Sequence, residues 1–150
     1  MKKKFFNAKI YRNEAATEII VENGKISQIG TDLPKCDEEI DLNGKLVLPP
    51  YVDPHLHLDY VYTLSELGQE GAGSGTLFEA IELWPQFKKT LTVESVKRLA
   101  MKGIKDEVSQ GVQHIRTHID VTDPNFTALK AMLEMKQDLK DIVDIQIVAF

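Results

Sequence analysis

The sequence predicts an α/β fold in which part of a small β-sandwich, residues 1–48, precedes the first units of a (β/α)8 barrel, residues 49–150. Residues 5–48 contain short β-like runs separated by turn signals, and from residue 49 onward β-like runs alternate with helical periodicity. A closed barrel of eight units takes about 250 residues. We therefore expect this 150-residue chain to be the front part of a longer protein that stops within the barrel.

Two turn signals organise the β-rich segment. Asn23-Gly24 and Asn43-Gly44 are each typical of two-residue hairpins, because both central positions need positive φ. The second turn predicts that residues 40–42 pair with residues 45–48. The three lysines at positions 2–4 are interpreted as a solvated terminus.

Helical patterns occupy most of residues 76–111. Thr76 is a candidate N-cap of a helix that runs to about Lys88, with Pro85 kinking it or ending it early. Thr92 is a candidate N-cap of a second helix, and Gly111 is its expected stop.

A third helix is predicted from Asp123-Pro124, a capping residue followed by proline. Its apolar stripe is expected to include Leu129, Met132 and Leu133, continued by Met135 or Leu139. The methionines are interpreted as core residues.

Residues 112–121 alternate between apolar and ionisable side chains, and the ionisable face consists of His114, Arg116, His118 and Asp120. A helix would make His114 and His118 an i, i+4 metal pair, but the β-branched run between them favours a strand. In a barrel this ionisable face points inward. It forms either a buried ion-pair ladder or, through His118 and Asp120, a support for a site. A third strand, residues 143–150, directs Phe150 inward.

His55 and His57 are the strongest candidates for metal ligands. Residues i and i+2 of a strand face the same way, about 7 Å apart at the backbone, so two imidazoles can lean onto one ion. The prolines just before them, together with Asp53-Pro54, exclude a helix here. Asp59 would face the same side of an extended strand as His55 and His57. Active sites of barrels form at the carboxyl ends of their strands.

Composition excludes several classes of protein. A net charge of −5 argues against a nucleic-acid-binding surface, and no apolar run approaches the roughly 18 residues of a membrane helix. The single cysteine, Cys36, cannot form an internal disulfide and indicates a reducing cytoplasm. It also excludes the small zinc nucleobase deaminases, which need a cysteine pair.

Several segments together resemble the amidohydrolase superfamily and, within it, the cytosine deaminases of the bacterial type. The most general are Gly44-Lys45-Leu46-Val47-Leu48-Pro49 and Val52-Asp53-Pro54-His55-Leu56-His57-Leu58-Asp59. Residues 74–79, 113–121, 129–134 and 145–150 carry the closer similarity. Pro50 departs from the glycine of many members, which weakens a hydantoinase-like or urease-like interpretation more than the deaminase one.

The resemblance implies a metal-dependent deaminase of pyrimidine salvage that converts cytosine to uracil and ammonia by attack of a metal-bound hydroxide. It implies one divalent ion, iron or zinc, with His55 and His57 as two of its ligands. The other ligands and the acid–base groups are expected beyond Phe150. Leu77 and Phe150 match pocket-wall positions of the family, with ordinary core packing as the alternative. Asp59, His118 and Asp120 are expected to support the ligands from behind.

We expect a small-molecule substrate, a homo-oligomer, and neither nucleic acid nor membrane as a partner. Two other chemistries share the motif. One is deamination or dealkylation of isoguanine, creatinine-type compounds or aminotriazines, and the other is hydrolysis of a cyclic amide. The non-enzyme alternative is an inactive fragment, or a binding module that another chain completes.

Overall fold

The computed structural model describes residues 1–66 and 76–150, and the side chains of Leu77 and Ala80 lie outside the described part. The chain divides into two compact units, Met1–Pro49 and Pro50–Phe150. The first unit contains only strands, and the second alternates strands with helices. The α/β class is therefore confirmed, and the described residues contain three parallel barrel-type strands but no closed barrel.

The first unit contains six strands: β1 (Lys2–Phe6), β2 (Lys9–Ile10), β3 (Glu18–Glu22), β4 (Lys25–Gly30), β5 (Glu38–Asp41) and β6 (Leu46–Val47). They form a four-stranded sheet in the order β4-β3-β1-β5 and a two-stranded sheet of β2 and β6. Asn23 and Gly24 have φ values of 51° and 76°, and β3 pairs antiparallel with β4, so the first predicted hairpin is confirmed.

The second predicted hairpin is wrong. Asn43 and Gly44 do form a turn with positive φ, but β5 pairs in parallel with β1, and β6 pairs in parallel with β2. The turn therefore passes the chain from one sheet to the other. The Asn43-Gly44 sequence specified the turn, but the strands on either side of it pair with β1 and β2, which lie earlier in the chain.

The prediction of a solvated terminus at residues 2–4 holds for Lys2, which is exposed, but is wrong for Lys4, which is buried. These lysines lie in β1, between β3 and β5. Lys4 is 8% exposed, and its Nζ lies 3.0 Å from Glu39 and 3.8 Å from Glu18. Carboxylates on both neighbouring strands thus compensate the charge that burial would otherwise penalise.

The second unit contains β7 (Tyr51–Leu56), α1 (Leu77–Lys88), α2 (Val93–Ser109), β8 (Val112–Ile119), α3 (Thr127–Asp138) and β9 (Asp144–Ala149). Its strands form a parallel sheet in the order β7-β8-β9, and α2 and α3 supply most of the core against one face of it. Ile115, Ile119 and Ile145 are at most 2% exposed on that face. The strand that carries the paired histidines begins after Pro49-Pro50.

Within the described part of the chain, no helix has the length and apolar character that crossing a membrane requires.

Helices α1 and α2 follow the predicted capping residues. The Thr76 and Thr92 hydroxyls accept hydrogen bonds from Glu79 N and Ser95 N, respectively. Gly111 ends the second helical segment with φ of 91°. Pro85 does not end α1, which continues to Lys88. A proline removes one backbone N–H from the helix, and the Pro85 side chain is exposed. Beyond it, Lys88 is held by its hydrogen bond to Asp120.

The predicted start of the third helix is wrong by three residues. Asp123 does not begin α3 with Pro124, because its carboxylate instead accepts hydrogen bonds from Asn125 N and Thr127 N in a turn before the helix. Phe126, with φ of 51°, precedes the first helical residue. The predicted apolar stripe is confirmed at Met132, Met135 and Leu139, which are buried, and at Leu129, which packs against the core, but it is wrong at Leu133, which is 54% exposed.

Thr92→Ala is expected to lower the free energy of unfolding by about 1 kcal/mol. Thr92 and Ser95 form a reciprocal capping box, so alanine leaves the Ser95 N–H without its hydroxyl acceptor. Denaturant unfolding of Thr92→Ala beside Thr92→Ser measures the effect, because serine keeps the acceptor. Equal losses for both variants would contradict the capping role.

Candidate metal centre

Three imidazoles meet at the carboxyl ends of β7 and β8. His55 lies in β7, His57 follows that strand directly, and His118 is the penultimate residue of β8. The ring centroids of His55 and His57 are 5.3 Å apart, and those of His55 and His118 are 4.1 Å apart and stacked. The parallel register of β7 and β8 brings them together, because Leu56 lies opposite Thr117. The backbone N–H of Leu58 also donates to Thr117 Oγ1 at 3.0 Å.

The protonation of His57 suits a metal ligand. Burial lowers the pKa of His57, and the nearby rings of His55 and His118 lower it further. A lowered pKa favours the neutral imidazole, which is the form that binds metals. The Nδ1 atoms of His57 and His118 are buried and have no hydrogen-bond partner among the described residues.

The donor chemistry of this end of the sheet fits a divalent transition metal, although the set is incomplete. Imidazole nitrogen is a common ligand of iron and zinc, and His55 and His57 supply two such groups side by side. Within residues 1–66 and 76–150, no group of three or more His, Cys, Asp or Glu side chains has an arrangement that could hold a metal ion. The ligand role of the pair therefore stays a prediction.

Two aromatic rings contact His57 nearly edge-on. Tyr60 lies 5.3 Å away at an interplanar angle of 82°, and Phe150 lies 5.4 Å away at 78°. Phe150 directly follows β9, which places its ring beside the histidines. The other predicted substrate contact, the Leu77 side chain, lies outside the described residues.

Asp59 and Asp120 lie together, each two positions after a histidine of the cluster, His57 and His118 respectively. Asp59 is 2% exposed, and its Oδ2 accepts a hydrogen bond of 2.9 Å from the backbone N–H of Asp120. Burial raises the pKa of Asp59 to about 6. Its Oδ1 has no partner among the described residues.

Asp120 is the polar anchor of this region. Its Oδ2 accepts hydrogen bonds of 2.9 Å from Trp84 Nε1 and from Lys88 Nζ, and its Oδ1 accepts from the Thr122 N–H and hydroxyl. Burial alone would raise the pKa of this carboxyl, but the bonds from Thr122, Lys88 and Trp84 outweigh burial and lower it. Asp120 is therefore a carboxylate at neutral pH, and it ties α1 to the end of β8.

The ionisable face of β8 divides into two parts. His118 and Asp120 join the cluster at the carboxyl end of the strand, whereas His114 and Arg116 lie nearer its start and pair with β9. His114 Nδ1 lies 3.5 Å from Asp144, and Arg116 Nε donates to Gln146 at 2.7 Å. The helical i, i+4 interpretation of His114 and His118 is wrong, because these residues belong to a strand.

Sequence reasoning missed Tyr60, Trp84, Lys88 and Thr117 as parts of this region. Trp84 and Lys88 are four positions apart, which places them on one face of a helix. That spacing could have indicated a shared partner. It could not have identified Asp120, which lies 32 residues after Lys88.

Lys88→Met is expected to lower the free energy of unfolding by about 3 kcal/mol at pH 7. The Lys88 and Asp120 side chains are 18% and 8% exposed, so methionine leaves a largely buried carboxylate without its cation. Denaturant unfolding measures the loss, with the exposed neighbour Lys89→Met as the matched control. Equal losses for the two variants would contradict the buried ion pair.

This loss has a defined pH dependence. The folded-state pKa of Asp120 is lowered from its ordinary 3.8, so its ionised form stabilises the fold fully above that pH. The contribution disappears as pH falls through the lowered value. The difference in stability between Lys88→Met and the unaltered protein should therefore shrink on acidification below about pH 4.

Known proteins match this chain over nearly its whole length. The model described as "Amidohydrolase family" matches residues 38–144. The N-isopropylammelide isopropyl amidohydrolase of Pseudomonas sp. (strain ADP) is 34% identical over 148 residues, which cover 96% of this chain and 37% of that relative. A crystal structure of 5-methylcytosine deaminase from Klebsiella pneumoniae with 5-fluorocytosine superposes with a TM-score of 0.85 at 43% identity.

That superposition covers 98% of this chain and 36% of the deaminase. The N-isopropylammelide isopropylaminohydrolase of Burkholderia multivorans ATCC 17616 superposes with a TM-score of 0.79 at 24% identity. That superposition covers all of this chain and 37% of the Burkholderia protein, and it supports the fold alone. The chain thus spans little more than a third of the length of these relatives.

Proposed function

Because this chain belongs to the amidohydrolase family, we propose that the protein is a metal-dependent hydrolase that removes the exocyclic amino group of a nitrogen-containing ring, with cytosine as its leading substrate. The observation that carries the proposal is the convergence of His55 and His57 at the carboxyl end of β7, with a buried, unpartnered Nδ1 on His57 among the described residues. This is the edge of a barrel sheet at which active sites form.

His55 and His57 would hold the ion, and a divalent metal bound there supplies Lewis-acid activation of water near neutral pH. The lowered pKa of His57 keeps its nitrogen lone pair available for coordination. Tyr60 and Phe150 restrict the orientation of the His57 ring from two contacts. The chain itself therefore contributes ligand donors and their orientation.

Phe150 is the substrate contact that the geometry favours. Its ring lies 5.4 Å from that of His57, so a planar heterocycle beside the metal ligands could stack on it. Such stacking accepts any flat ring. It supports a cyclic substrate without distinguishing a pyrimidine from a triazine.

Similarity to the Klebsiella 5-methylcytosine deaminase favours a cytosine ring. Similarity to the Pseudomonas N-isopropylammelide isopropyl amidohydrolase favours a second candidate function, release of an alkylamine from an aminotriazine. Both reactions replace an exocyclic nitrogen of a planar ring by oxygen. They differ in the amine that is released.

The test uses the protein expressed from its complete gene and loaded separately with iron or zinc. Cytosine, 5-methylcytosine and N-isopropylammelide are supplied in parallel, and ammonia and isopropylamine are quantified. Ammonia from a cytosine ring supports the leading proposal, and isopropylamine from the triazine supports the second. Ring opening of these substrates with neither amine released would overturn both.

A further inference from the structure

Helix α1 makes an unusual attachment to its unit. In α2 and α3 several side chains are fully buried in the core, whereas none of the described side chains of α1 is. Asp120 is a polar anchor of α1, since it accepts hydrogen bonds from Trp84 and Lys88. Apolar burial of the described side chains therefore does not account for the placement of this helix.

The anchor determines the orientation of one ring in particular. Indole has a single N–H, and that of Trp84 donates to Asp120 Oδ2 at 2.9 Å. Asp120 is itself held, because Thr122 donates to its other oxygen and its own backbone N–H donates to Asp59. Trp84 thus has little rotational freedom.

A continuous series of ring contacts leads from Trp84 to the histidine pair. The centroids of Trp84 and Tyr60 are 3.9 Å apart at 38°, and Tyr60 meets His57 nearly edge-on at 5.3 Å. The backbone N–H of Tyr60 also donates to the carbonyl of His57 at 3.0 Å. Tyr60 is therefore bound to His57 through both its ring and its backbone.

We propose that Trp84 and Tyr60 are positioning residues that transmit the placement of α1, anchored on Asp120, to the orientation of the His57 imidazole. The inference rests on the proposed function, since it takes His57 as a metal ligand. A ligand that is held in its binding orientation loses less freedom when it coordinates. Loosening the series of contacts should therefore speed release of the metal from the folded protein.

The experiment compares Trp84→Leu, Trp84→Phe and the control Phe78→Leu in the complete zinc-loaded protein. Phe78 is an aromatic residue of the same helix and is 79% exposed. The readout is the rate at which zinc passes to a chromogenic chelator. We expect about tenfold faster release for Trp84→Leu, in the range found when groups behind metal ligands are removed. Trp84→Phe retains a ring against Tyr60 and should recover part of the change.

A second pair of variants tests the anchor if Trp84→Leu folds poorly. Lys88→Met should raise both zinc release and amide hydrogen exchange in residues 77–88, and Lys88→Arg should restore both. Faster hydrogen exchange in α1 with an unchanged rate of zinc release would overturn the proposal, because the placement of α1 would then have no effect on His57. Equal acceleration by Phe78→Leu would overturn it as well.

His57→Ala distinguishes failure of the proposed metal site from failure of the positioning role of Trp84 and Tyr60. If His57→Ala retains its zinc, the proposed function fails and the positioning role fails with it. If His57→Ala loses zinc while Trp84→Leu and Lys88→Met release it at the unaltered rate, only the positioning role fails.

Discussion

Replacing His57 with alanine is expected to abolish metal retention and to reduce ammonia release from the ring substrate by at least about 10³-fold. The imidazole is partly buried, has a lowered pKa and adjoins His55, so its loss removes one of two neighbouring nitrogen donors. Lewis-acid activation is worth several kcal/mol, and each 1.36 kcal/mol corresponds to a factor of ten in rate. Metal content by elemental analysis and ammonia release by the complete protein measure the two effects.

His114→Ala is the matched control for this experiment. His114 lies in the neighbouring strand, its side chain is half exposed, and it pairs with Asp144 away from the cluster. Its replacement should leave metal content unchanged. A His57→Ala protein that keeps a full equivalent of metal would contradict the ligand role of His57, whatever its activity.

Ile145→Ala is expected to lower the free energy of unfolding by about 2–5 kcal/mol. Ile145 lies in β9, is 1% exposed and belongs to the core cluster that α2 and α3 form with the sheet. Alanine removes buried methyl and methylene groups and leaves a cavity that the surrounding side chains fill only in part. Denaturant unfolding with a probe of this unit measures the change.

Ile142→Ala is the comparison, because it makes the same chemical change three residues earlier at a side chain that is 59% exposed. We expect it to remain within about 0.5 kcal/mol of the unaltered protein. Similar losses at both positions would mean that the core is not organised around β9 as described.

The regular features of the chain were predictable because short-range physics specifies them. Alternation along a strand put His55 and His57 on the same side, and their rings do lie 5.3 Å apart. The hydroxyl of Thr92 and the positive φ of Gly111 mark the start and the end of the second helical segment. Each of these inferences needs only residues within a few positions of one another.

Partner choice was not predictable in the same way. The turn at Asn43-Gly44 forms as expected, but its flanking strands pair with β1 and β2 instead of with each other. The lysines of β1 appear solvated in the sequence, and only the neighbouring carboxylates explain the burial of Lys4. The packing of α3 against the sheet likewise decided that Leu133 faces solvent and Met132 the core.

The sequence by itself therefore determined the α/β class, the paired histidines and their common face, since these follow from local backbone geometry and side-chain alternation. Only the tertiary structure decided which groups surround that pair. His118 reaches it through parallel register, and Trp84 and Lys88 reach Asp120 across more than 30 residues of chain. Such contacts depend on how strands and helices pack, and that packing is set by long-range burial and charge compensation that no local pattern encodes.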